Sequence, residues 1–207
     1  MLRNYFLFSL LGFFTLVLPS CATVTQQPLS PASSAEEKLT WPQRQAQLTA
    51  IKNWTLNGAL GIQQQGKSQF ASLTWLQQGR NYQQTISGPL GVGAARIIGY
   101  PGHVTFWKSA QEQFVATSPE SLMQQQLGWH LPISNLYYWV RGLPVPGIAG
   151  SKNFDAEHHL IALQQQGWQI TYLAYNEVNG IDLPSQIKLN NPTVQMQVKL
   201  VIKQWQF

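Results

Sequence analysis

Asp155, Glu157, His158 and His159 are the densest group of potential metal ligands and proton-transfer groups in this chain. A zinc site of the metalloprotease kind would need His-Glu-x-x-His, whose two histidines share one helix face. That pattern does not occur. Adjacent side chains in a strand point to opposite faces, so this group reads as a solvated edge, and no metal site is expected. His103 and His130 lack a recognisable nucleophile, and no Gly-x-Ser-x-Gly elbow is present to expose a serine at a strand-to-helix turn. A glycine-rich nucleotide loop of the Walker type is also missing. The residues argue against catalysis and against nucleotide-driven work.

Cys21 offers a different chemistry, covalent lipidation. Met1-Leu2-Arg3-Asn4 carries one positive charge, Tyr5 to Val17 is almost entirely apolar, and Leu18-Pro19-Ser20-Cys21 follows. These are the parts of a secretory signal. The apolar run is shorter than the roughly 20 residues a spanning helix needs. A lipoprotein processing site reads Leu-(Ala/Ser)-(Gly/Ala)-Cys; Leu18, Ser20 and Cys21 fit it and Pro19 departs from it. Residues 1–20 are therefore expected to be a removed signal, with Cys21 the new, acylated N-terminus. Ala22 is not the aspartate that favours inner-membrane retention, so the outer membrane is the expected destination, with the domain facing the periplasm.

Cys21 is the only cysteine, which rules out an intramolecular disulfide; an exported domain of this length must rely on its apolar core. The formal charge is +5, about +4 without Arg3, and no basic run occurs, so nucleic acid is not an expected partner. From Ala22 to Leu39 the chain is rich in Gln, Pro, Ser, Ala and Thr and has no apolar period. It reads as a flexible tether with a reach of roughly 23 Å. The runs Gln63-Gln64-Gln65, Gln124-Gln125-Gln126 and Gln164-Gln165-Gln166 read as solvated turns and faces.

The domain expected to begin at Thr40 opens with a capping box, Thr40-Trp41-Pro42-Gln43, and an amphipathic helix to about Lys52. The apolar period then becomes two, with large groups at even positions from Trp54 to Ile62. Further strands are expected around Leu73 and Trp75, over Tyr82–Ser87, Ala94–Tyr100 and Val104–Lys108, and at Gln113–Ala116. Ser118-Pro119-Glu120 predicts a helix stopped by Gly128, and Ser134 is the expected cap of a second helix ending at Arg141-Gly142. Trp168–Tyr172 and Val194–Ile202 are the cleanest one-sided strands.

Many antiparallel strands, each apolar on one face, must curl around something to bury that face. The expected fold is mainly β with α, an antiparallel barrel or half-barrel. The inward set comprises Trp54, Leu56, Leu60, Ile62, Leu73, Trp75, Trp139, Trp168, Ile170, Tyr172, Val198, Leu200 and Ile202. Two readings fit it equally, a packed core or the lining of a cavity for acyl chains beneath the inserted helices.

Several motifs in order and spacing resemble the LolB family of outer-membrane lipoproteins. They include Trp41-x-x-Arg44, Trp54-x-Leu56-x-Gly58, Leu73-Thr74-Trp75-Leu76-Gln77, Gly88-Pro89-Leu90-Gly91, Trp139-Val140-Arg141-Gly142-Leu143-Pro144, Gly167-Trp168-Gln169-Ile170-x-Tyr172 and Lys199-Leu200-Val201-Ile202-x-x-Trp205. The resemblance runs from Trp41 to Trp205 within an expected domain of residues 40–207. It implies an unclosed antiparallel β-barrel, a half-barrel with a helical lid over a hydrophobic cavity, and a receptor that accepts triacylated lipoproteins from the periplasmic carrier LolA and inserts them into the outer membrane. Pro89, Leu90 and Gly91 match the family's protruding membrane-delivery loop. Implied partners are a LolA-like carrier, acylated lipoprotein cargo and outer-membrane phospholipid, with the receptor a monomer. No cofactor is implied beyond the lipid on Cys21. The competing reading is an outer-membrane lipoprotein of similar fold that binds another lipid or an envelope-assembly partner.

Overall fold

A computed structural model describes residues 38–89 and 94–207. Cys21, the tether up to Glu37, and Leu90 and Gly91 of the delivery loop lie outside the described residues. The domain begins with helix α1 (Trp41–Ala50), followed by strands β1 (Asn53–Gln64), β2 (Lys67–Gln78), β3 (Asn81–Ser87), β4 (Ala95–Tyr100), β5 (His103–Trp107) and β6 (Gln113–Ala116). Helices α2 (Pro119–Leu127) and α3 (Ile133–Trp139) come next. Strands β7 (Ser151–Phe154), β8 (Leu160–Gln165), β9 (Trp168–Val178), β10 (Ile181–Asn191) and β11 (Met196–Gln206) complete it.

The strands form one 11-stranded sheet in the order β6-β5-β4-β3-β2-β1-β11-β10-β9-β8-β7. Two antiparallel meanders are thus joined where the first strand pairs with the last, Leu60 opposite Leu200 and Ile62 opposite Val198. The order does not return on itself, so β6 and β7 are edges and the barrel is unclosed, as expected. The two helices occupy the connection between those edges.

The period-two pattern places the core. In β1, Trp54, Leu56, Leu60 and Ile62 are buried, and their register partners continue the same face into β2 and β11. One apolar cluster runs through both meanders, α1, α2 and α3. Burying each large side chain of this kind contributes about 1.5–3 kcal/mol, so the sheet gains by curling its apolar face around a common centre. At the start of α1, Gln43 Oε1 accepts from the Thr40 N–H at 2.7 Å, the reach-back arm of the capping box. Ser118 caps α2 and Gly128, at φ 69°, ends it.

Four local expectations are corrected. Ser134 does not cap α3: the N-cap is Pro132, and the Ser134 N–H donates instead to Glu120 Oε1 at 2.8 Å. Val194 lies in the turn between β10 and β11, with its N–H directed at Asn191 Oδ1, so the last strand starts at Met196. The segment from Asp155 to His159 is a turn between β7 and β8 rather than a strand edge. Gln165 is no solvated glutamine, being only 1% exposed. For Ser134 and Gln165 the deciding partners lie 14 or more residues away, whereas the two turns close on Asn191 and Asp155 within four residues.

Candidate functional site

The concave face of the sheet is filled from the inside. All thirteen expected cavity residues are buried. Trp54 packs against Trp75 with centroids 5.1 Å apart, against Trp205 at 5.3 Å, and against Tyr137 of α3 at 6.5 Å. Trp139 approaches Trp168 at 6.3 Å. Protein interiors are close-packed, so these rings leave little empty volume between them.

Open space lies at one margin of the lid. A half-open cavity of about 720 Å³ is bounded by Trp75, Gln77 and Tyr82 of the sheet and by Pro119, Glu120, Ile133, Tyr137 and Tyr138 of the two helices, with Lys52, Arg80 and His103 at its rim. Of the expected lining set, only Trp75 borders it. Tyr82, Tyr137 and Tyr138 were not among the expected residues. The signal for the last two is in the sequence, since an aromatic pair in a short helix after a Pro must present at least one ring to the sheet.

Polar groups at this cavity are unevenly satisfied. Gln77 is complete: its Oε1 accepts from Trp75 Nε1 at 2.9 Å and its Nε2 donates to Gly79 O and Asn81 O. The Tyr82 hydroxyl is buried without a partner among the described residues; Trp54 Nε1, in the packed core rather than at the cavity wall, has none either. Burial, and then the Glu120 carboxylate, push the Tyr82 pKa well above the usual phenol value, so it remains a neutral hydroxyl that can donate. An unmatched buried donor costs about 1–3 kcal/mol.

At the other margin the lid is secured. Trp139 Nε1 donates to Gln165 Oε1 at 3.1 Å, and Gln165 also receives Val145 N–H and donates to Val145 O and Ile148 O. Tyr172 donates its hydroxyl proton to Trp139 O at 3.0 Å. Arg141, 1% exposed, donates to Leu48 O and Ile51 O at 3.2 and 2.6 Å and to Tyr137 O at 3.0 Å. Its guanidinium lies 4.1 Å from the Tyr137 ring centre. Burial lowers its pKa from the ordinary arginine value, yet a guanidinium stays protonated in proteins. Among the described residues no carboxylate pairs with it. Arg141 therefore joins α3 to the end of α1 through carbonyl oxygens. Gly142 follows at φ 76°, where a Cβ would also press on Pro184 and Tyr175, so the sharp exit from α3 requires glycine.

The acidic and histidine group is structural in its contacts. His159 Nδ1 lies 2.9 Å from Asp155 Oδ2 and its Nε2 lies 3.0 Å from Asp182 Oδ2, while its ring stacks on Tyr175 at 4.6 Å. Arg44 of α1 reaches Asp182 at 2.8 Å and Glu157 O at 2.9 Å. Burial acts to raise the Asp182 pKa, but the His159 hydrogen bond and Arg44 outweigh it and hold the carboxyl below its usual range. Burial likewise acts to raise the Asp155 pKa, but hydrogen bonds from the His159 N–H and ring and from the Glu157 N–H outweigh it and hold this carboxyl below its usual range. Asp155, Glu157 and His159 bring ligand atoms within 4.8 Å of one another, but their hydrogen bonds already hold α1 and the β7–β8 turn to the β9–β10 hairpin.

Pro89 is the last described residue before the β3–β4 loop, just after β3 ends at Ser87. Among the described residues no helix is long and apolar enough to cross a membrane.

Comparison with known proteins fits this architecture. Residues 52–205 match the family described as "Outer membrane lipoprotein LolB". An outer-membrane lipoprotein LolB of Coxiella burnetii is 44% identical over 191 residues, 92% of this chain and 89% of the relative. One from Pseudomonas syringae is 41% identical over 205 residues, covering 99% of this chain and 96% of the relative. Among solved structures, a LolA-superfamily protein from Nitrosomonas europaea aligns with a TM-score of 0.55 at 10% identity, over 82% of this chain and 94% of its own. A DUF1329-family protein from Desulfovibrio piger gives a TM-score of 0.57 at 8% identity, over 81% of this chain and 90% of its own. These two likenesses concern the fold alone. With a family match across most of the folded domain and relatives above two-fifths identity over nearly the whole chain, this protein belongs to the LolB family of outer-membrane lipoproteins.

Proposed function

We propose that this protein is an outer-membrane receptor that accepts acylated lipoproteins from a LolA-type periplasmic carrier and inserts them into the outer membrane without nucleotide hydrolysis. The observation that carries the reading is a helical lid over an apolar half-barrel, secured at one margin and bordered by a half-open cavity at the other. Family membership supplies the class of cargo. The cargo is triacylated, the anchor is a lipid on Cys21 joined to the domain by residues 22–39, and the receptor works as a monomer.

The packed interior constrains the mechanism. A cavity of about 720 Å³ lies within the range of a single small-molecule site, so several long acyl chains cannot enter without displacing α2 and α3. Chain burial contributes ~0.8 kcal/mol per CH₂. Complete burial of several chains would exceed the practical ceiling of about 18–21 kcal/mol for reversible association. Lid displacement offsets that gain, which keeps binding weak enough for release. In this reading the thirteen buried residues are core when the receptor is empty and acyl-chain lining when it is loaded. Tyr82 and Trp54 then donate their unmatched protons to ester and amide carbonyls of the cargo. Cargo moves down a gradient of affinity from carrier to receptor to bilayer.

The test is direct. An acylated lipoprotein loaded on the carrier is mixed with this protein, and the cargo is followed by affinity pull-down. Transfer is expected in the absence of any nucleotide; retention on the carrier with both proteins folded would reject the reading. Leu90→Glu should still accept cargo and should release at least tenfold less into vesicles, and undiminished release would remove Leu90 from delivery.

A further inference from the structure

The convex face of the sheet carries a feature that lid and cavity do not explain. Four strands place Phe70, Gly61, Lys199 and Lys188 in one cross-strand row: Phe70 of β2 opposite Gly61 of β1, Gly61 opposite Lys199 of β11, and Lys199 opposite Lys188 of β10. Phe70 is 71% exposed, although it lies within a strand. Its ring leans over Gly61, where an added Cβ would lie 3.3 Å from it, so the absent side chain leaves the floor of a groove. Leu173 of β9, 51% exposed, borders the same groove, whose volume is about 330 Å³.

The two lysines carry the charge argument. Like charges directly opposite across antiparallel strands are destabilising, whereas an opposite-charge pair there would be favourable. Here Lys188 faces Lys199, and neither makes an ion pair among the described residues. Among the described residues no acidic side chain lines the groove. The nearest carboxylate along β10, Asp182, is six positions away, about 20 Å of strand, and already serves Arg44 and His159. An exposed aromatic and an exposed leucine flanking two unneutralised lysines form a surface that suits an anionic headgroup at its centre and apolar contact at its sides. The place in the fold agrees. Phe70 lies beyond Ser72, the last β2 residue paired with β3, at the end of the sheet where the chain leaves β3 towards Pro89.

We infer that this convex groove is a docking surface for anionic phospholipid headgroups of the target bilayer, which orients the domain at the membrane for delivery. Lys188 and Lys199 hold a phosphate between them, while Phe70 and Leu173 rest at the headgroup boundary. The inference rests on the receptor reading and deepens it: the bilayer contact extends from the β3–β4 loop onto the sheet.

The experiment uses the full-length, processed protein in vesicles, with an environment-sensitive fluorophore on Thr171→Cys, the exposed position that pairs with Lys188. Phosphatidylcholine vesicles with and without phosphatidylglycerol are compared. A blue shift confined to the anionic vesicles is expected. The double variant Lys188→Gln/Lys199→Gln should lower the fraction of face-down molecules about tenfold. Phe70→Ser should reduce the shift, and inorganic phosphate should not compete. Circular dichroism confirms that the variants fold. A shift in neither vesicle, or equal shifts in both, overturns the inference. So does a shift elicited by the carrier without vesicles, which would make the face a carrier dock, or one abolished by inorganic phosphate, which would make it a free-anion site. Carrier-to-receptor transfer measured without vesicles on the same samples separates the failures: normal transfer with a silent fluorophore rejects the docking surface alone, whereas absent transfer rejects the receptor reading.

Discussion

The two margins of the lid differ in how their polar groups are met. At the margin facing β8 and β9, Trp139, Gln165 and Tyr172 form a closed set of hydrogen bonds, and Arg141 extends it to α1. At the margin facing β2 and β3, Tyr82, Tyr137 and Tyr138 border a cavity of about 720 Å³, and the hydroxyl of Tyr82 has no partner among the described residues. A satisfied buried network resists opening, because each separated group would be left unpaired, whereas a margin with unmatched donors and empty volume has less to lose. The lid is therefore fastened on one side and free to lift on the other. This asymmetry gives the half-barrel an entrance without dissolving its core.

Breaking the fastened margin should have the largest effect. Arg141→Ala removes the donors to Leu48 O, Ile51 O and Tyr137 O and leaves buried carbonyls unmatched, so a loss of about 2–4 kcal/mol is expected in urea unfolding. A change below about 0.5 kcal/mol would show that the fastening is not structural. At the free margin the sign should reverse. Tyr82→Phe removes a hydroxyl that has no partner, so stability should hold or rise by up to about 1 kcal/mol, while cargo acceptance falls. A stability loss beyond that size would mean that the hydroxyl is matched and that the two margins are alike.

The smallest effect is in pH dependence, away from both margins. Asp155 and Asp182 have depressed pKa values in the folded protein, so the stability they contribute is complete above the unfolded value of about 3.9 and is lost as pH falls through the folded values. Unfolding midpoints should drop below about pH 4, and Asp182→Asn should flatten that drop without altering the lid. An unchanged acid limb would remove the cluster joining α1 to the β9–β10 hairpin from the account of stability.

Much of the framework was legible in residue order. Trp54 to Ile62 reads as a one-sided strand because strand geometry sends alternate side chains to one face whatever lies opposite. Ser118 and Gly128 mark the limits of α2 because caps are local chemistry. Strands β7, β8 and β10 escape the pattern: β7 has four residues, β8 ends in Gln164-Gln165, which read as part of a solvated turn, and β10 carries Pro184 within a register shift, which interrupts its period. Gln165 reads as solvated in the sequence because a glutamine beside a turn carries no mark of the Trp139 indole or the Val145 and Ile148 backbone that it meets.

By itself, the order of residues determined the curled antiparallel sheet, the inserted helices and the family, since period, caps and motif spacing are properties of neighbours along the chain. The tertiary structure decided which apolar residues are packed, where the empty volume lies, which margin of the lid is fastened, and that Lys188 faces Lys199 across the outer surface. Those outcomes depend on distances between segments remote in sequence, set only when the sheet curls and the helices close over it.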